Sequence, residues 1–98
     1  MKTKILNPQI IIKAASIISG KPINVIRGKS RASSVVAVRD LCIKLCKDNL
    51  FVADRDIAVP FGKDRSSVCI ALKRVEKNLD QREQYRLLLD QVKGELNL

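Results

Sequence analysis

The chain has no histidine and only three aromatic residues among 98. Without histidine it lacks the most frequent general base and the most frequent metal ligand. Cys42, Cys46 and Cys69 are an odd number with no paired Cys-x-x-Cys spacing, so no zinc site of the usual kind is expected. All three lie in apolar stretches and read as reduced, buried small hydrophobes, which fits a cytosolic compartment. No nucleophile stands beside a base in any recognisable pattern, so an enzyme is the least supported reading. The scarcity of aromatic rings argues against a stacking platform for single strands.

Acidic residues are missing from the first 39 positions, which hold eight lysines and arginines. The first acid is Asp40, and the remaining 59 residues are nearly balanced, eleven basic against ten acidic. The overall charge of +9 is therefore concentrated, and a polyanion is the natural partner. No apolar run reaches the length of a membrane span. Lys2 and Lys4 precede an Ile-rich run in the manner of a signal peptide, but Lys13 interrupts it and Asn7-Pro8 looks like a helix start. Gly28-Lys29-Ser30 copies the end of a nucleotide-binding loop, yet Ile23 stands where that loop needs glycine. No cofactor, metal or small-molecule substrate is implied.

What is present is helical periodicity. Asn7 and Pro8 predict a first helix with Ile10, Ile11, Ala14, Ala15 and Ile18 on its apolar face, stopped by Gly20. A short helical turn over residues 23–27 leads to a basic loop, Arg27-Gly28-Lys29-Ser30-Arg31. Ser33 or Ser34 can cap the next helix, which buries Val35, Val38, Leu41, Cys42 and Leu45 and leaves Arg39, Lys44 and Lys47 off that stripe. Asp54 begins a short helix that Pro60 ends, with Phe61 plugging the core and Gly62 turning the chain. From there Val68, Ala71, Leu72, Val75 and Leu79 define the inner face of a further helix. A last helix over about 81–96 uses Tyr85, Leu88, Leu89, Val92 and Leu96. The expectation is an all-α compact bundle of about five to six helices, in one domain, containing a helix-turn-helix.

Lys63, Asp64, Arg65, Ser66 and Ser67 form a small, charged tip at the front of the fifth of these elements. Taken alone, the stretch is an ordinary surface helix capped by Asp64. Beside a basic loop, it is suited to enter a DNA major groove while the loop meets phosphates or a minor groove.

The order of parts resembles the C-terminal DNA-binding domain of the bacterial replication initiator DnaA, from about Pro8 to Leu96. The family's most specific run reads Phe, two glycines, Arg, Asp, His, two threonines and Val. Here it reads Phe61, Gly62, Lys63, Asp64, Arg65, Ser66, Ser67 and Val68, one glycine shorter. A basic loop, Lys29-Ser30-Arg31, precedes Ser34-Val35 and then Val38-Arg39-Asp40, where the family has Ser-Val and a helix with Pro-Arg-Gln. The resemblance implies that Arg31 enters the minor groove and that Lys29 and Arg39 lie near or on phosphates. It places Lys47 near the DNA backbone and Lys63 just before the recognition helix. It assigns Asp64, Arg65, Ser66 and Ser67 to base edges and adjacent phosphates. Arg65 replaces a histidine and favours guanine, which implies a target other than the usual initiator box. No ATPase module is present in these 98 residues, so a free-standing cytoplasmic regulator of replication or transcription, bound to double-stranded DNA, is the role implied. Two other roles remain open: an interaction module for a replication protein, and a sequence-neutral, nucleoid-type DNA binder.

Overall fold

A computed structural model describes residues 6–98; Lys2 and Lys4, on which the signal-peptide reading turned, lie outside the described residues. The fold is all-α. Among the described residues six helices and one 3-10 turn follow in order: α1 (Pro8–Ser19), α2 (Ile23–Arg27), α3 (Ser33–Asn49), α4 (Asp54–Ala58), the turn Val59–Phe61, α5 (Arg65–Gln81) and α6 (Glu83–Glu95).

Helix α1 begins as its sequence requires. The Asn7 carboxamide oxygen accepts from the Ile10 amide at 2.9 Å, and Pro8 occupies a first-turn position where no N–H is needed. Gly20 ends it at φ 75°, a left-handed conformation in which its amide donates to the Ser16 carbonyl. Helix α3 is the central strut, in contact with α1, α2, α4 and α5. Its buried residues extend beyond the predicted stripe to Ile43 and Cys46, because neighbours cover it on several sides. Neither Ser33 nor Ser34 caps it. Ala32 is the cap residue, and its carbonyl receives the Val35 and Val36 amides at 3.0 and 2.9 Å.

The core gathers Ile11, Ile12, Ile26, Leu41, Leu45, Ile57, Val68, Val75 and Val92, all fully or almost fully buried, with Phe61 beneath the turn that precedes α5. Helix α5 turns Val68, Ala71 and Val75 inward. The chain breaks at Arg82 and returns as α6, two residues later than the sequence predicts, held by Tyr85, whose hydroxyl donates to the Ala37 carbonyl of α3 at 2.8 Å. Cys42 and Cys46 are buried, and burial raises both thiols, Cys46 to about 12. Cys69 differs from expectation: it lies on the outer side of α5 and is exposed. Among the described residues no helix is long and apolar enough to cross a membrane.

Candidate nucleic-acid interface

The turn before α5 determines how the tip is presented. The 3-10 turn ends at Gly62, φ 63°, a left-handed conformation that side chains other than glycine rarely adopt. Asp64 then caps α5. Its Oδ1 accepts from the Ser67 amide at 3.0 Å and from the hydroxyls of Ser66 and Ser67 at 2.8 and 3.0 Å. These hydrogen bonds, the Ser66 hydroxyl's first, hold the carboxyl below the usual aspartate range. Asp64, Ser66 and Ser67 thus form a self-bonded cap, and Lys63 and Arg65 flank it, both exposed.

The basic loop is built from behind by Arg39. This residue was expected off the buried stripe and on or near phosphates, but it is only 3% exposed. Its Nε donates to the Ile26 carbonyl at 2.7 Å, Nη1 to Ser30 at 2.9 Å and Nη2 to Val25 at 3.3 Å. The short helix α2 leaves carbonyls at its negative end, and the guanidinium fork takes that of Ile26 and shares that of Val25, which also accepts from the Gly28 amide at 3.1 Å. Burial lowers the Arg39 pKa, opposed by the adjacent Asp40 carboxylate. Arg39 therefore shapes the loop from the interior and is not a surface cation. Arg27 adds a second tie, its Nε donating to the Pro60 carbonyl at 3.0 Å, so the foot of the loop is bonded to the turn that aims α5.

Loop and helix tip meet across a groove of about 420 Å³ between α3 and α5. Lys29, Ser30 and Arg31 line one side, Lys63, Ser67 and Arg74 the other, with Val36, Ile43 and Ala71 between them. Lys29, Arg31, Lys63 and Arg65 have no carboxylate within 4 Å among the described residues. Lys47 is not part of this groove; its Nζ pairs with Asp54 at 2.7 Å, tying the end of α3 to the start of α4.

No family model and no curated protein matches the chain.

The pairing of two groups in the groove was not expected from the sequence. Asp40 is 2% exposed, and it receives Nε and Nη2 of Arg74 at 2.8 and 3.1 Å. Hydrogen bonding to Asp40 raises the Arg74 pKa. The available signal was Arg39-Asp40 inside an otherwise apolar run: adjacent charges on a buried helix need partners from other elements. Among the described residues no cluster of three or more His, Cys, Asp or Glu side chains could hold a metal ion.

Proposed function

We propose that the chain is a double-stranded DNA-binding domain, with α4, the Val59–Phe61 turn and α5 acting as a helix-turn-helix and residues 27–31 as an accessory basic loop. The observation that carries this reading is the groove into which Lys29, Arg31 and Lys63 converge from separate parts of the chain without acidic partners. Unpaired cations around one concave surface suit the regular charge of a nucleic-acid backbone. Phosphate contacts give affinity and orientation, and Arg65, on the first residue of α5, gives base preference. The resemblance to the DNA-binding domain of the DnaA initiator supports the same arrangement and suggests a regulator of replication or transcription. Arg39 and Lys47 are left out of the contact set, the first because it is buried and the second because it pairs with Asp54.

A second reading rests on another face of α3. Ser33, Ser34 and Ala37 share a groove of about 520 Å³ with Lys21, Arg82, Tyr85 and Leu88, beside an exposed Leu87. That surface supports an interaction module for a replication protein. Selection of bound duplexes from a random pool, read by sequencing, separates the readings. An enriched motif is expected. Retention without a motif favours a sequence-neutral binder, and no retention favours the interaction module.

A further inference from the structure

Arg39, Asp40 and Arg74 form one charge cluster on the groove between α3 and α5. Two cations and one carboxylate leave one positive charge in excess. Arg39 and Asp40 are almost wholly buried, whereas the Arg74 side chain is 49% exposed, so a ligand in the groove meets that excess through Arg74. The carboxylate grips one edge of the guanidinium through Nε and Nη2, and such a two-point grip fixes its plane. Nη1 makes no hydrogen bond among the described residues.

We propose that Arg74 is a DNA-phosphate contact of this groove and that Asp40 is its positioning residue. The assignment rests on the DNA-binding reading above. Arg74 follows Ser67, which lines the same groove, by seven helical positions, two turns and about 10 Å along the axis at 1.5 Å per residue, so both lie on one side of α5. If the tip of α5 reaches base edges, a side chain that far back stands at the level of the flanking backbone. The carboxylate lies behind the guanidinium, so the pair presents its positive end outward. Arg74 thereby does in this chain what the sequence led one to expect of Arg39, while Arg39 spends its donors on the loop.

The decisive variant is Asp40→Asn with Arg74→Gln in the full chain. It removes both charges together, leaving no orphaned buried carboxylate and no change in net charge. Binding is titrated over a salt series on a selected duplex and on a scrambled one, with Lys63→Ala and Lys93→Ala alongside and circular dichroism melts as the check on folding. The double variant is expected to show a log–log salt slope shallower by about one, with similar fold-losses on both duplexes. An unchanged slope, while Lys63→Ala is shallower than the unaltered chain, overturns the assignment and leaves the DNA-binding reading standing. Absence of salt-dependent binding by the unaltered chain overturns both. If the double variant does not fold, Arg74→Lys decides. It keeps the charge and loses the fork, so a weaker affinity with the slope retained supports a positioned contact, and an unchanged affinity overturns it.

Discussion

An arginine set in a buried helix face must find carbonyls or carboxylates, because an unpaired buried charge is strongly unfavourable. Arg39 finds three carbonyls, at Val25, Ile26 and Ser30. Arg39→Ala should therefore destabilise the fold by about 3 kcal/mol, the scale of breaking a buried charged network, as measured by urea unfolding. Arg65 is exposed and makes no ion pair among the described residues. Arg65→Ala should change stability by less than about 0.5 kcal/mol, yet lose roughly 1–3 kcal/mol of binding on the preferred duplex and much less on a scrambled one. Equal losses on both duplexes would reassign Arg65 to a phosphate. Asp64 carries a pH dependence. Its folded pKa is depressed, so the stability it contributes is present above the unfolded value, about 3.9, and is lost as pH falls through the folded one. The melting temperature of Asp64→Ala should fall below that of the unaltered chain at neutral pH, with the gap closing in acid below the ordinary aspartate range.

The loop between α2 and α3 illustrates how an element of low intrinsic order is held in place. It has no apolar periodicity, and its shape comes from Arg39 behind it, Arg27 at its foot and Ser30 Oγ, which accepts from the Ala32 amide at 3.4 Å. Side chains on it can therefore be presented to a partner without large ordering costs. Helix α6 is different: it closes the core through Tyr85 and Val92, with Leu96 just past its end, and its charges nearly cancel. Arg31→Ala should weaken DNA binding more than Lys93→Ala when both are titrated at one fixed salt concentration. Equal and negligible losses would take the loop out of the interface.

At the scale of the whole molecule, the positive field is not simply that of the acid-free first 39 residues. Of their eight cations, Arg39 is interior and Arg27 is bonded to a carbonyl. The groove combines Lys29 and Arg31 from that segment with Lys63 and Arg74 from the balanced remainder, and Arg65 stands at the tip beside it. With about four to five phosphates neutralised by this set, the log–log slope of affinity against salt should be on the order of −4. A slope near zero in titrations from low to moderate salt would sink phosphate binding and leave the interaction module.

Helix number, the Asn7 and Asp64 caps, the Gly20 stop and the apolar faces of α5 and α6 were legible in the sequence, because caps and 3.6-residue periodicity act over a few residues; on α1 the predicted face missed Ile12, which is fully buried, and included Ile10 and Ile18, which are only partly so. The same locality made Lys63 and Arg65 recognisable as the flanks of a helix tip. The fate of Arg39, Asp40, Lys47 and Cys69, and the partner of Arg74, were not legible, since each depends on which element packs against it. Arg39 and Arg74 are both arginines on helices, and only the positions of α2 and Asp40 decide that one is an internal brace and the other faces the groove. Local chemistry determined the helices and the sign of the charge. Tertiary packing decided which charges are spent inside, because a buried ion takes its partners from wherever the fold brings them, at sequence separations of 9 to 34 residues here.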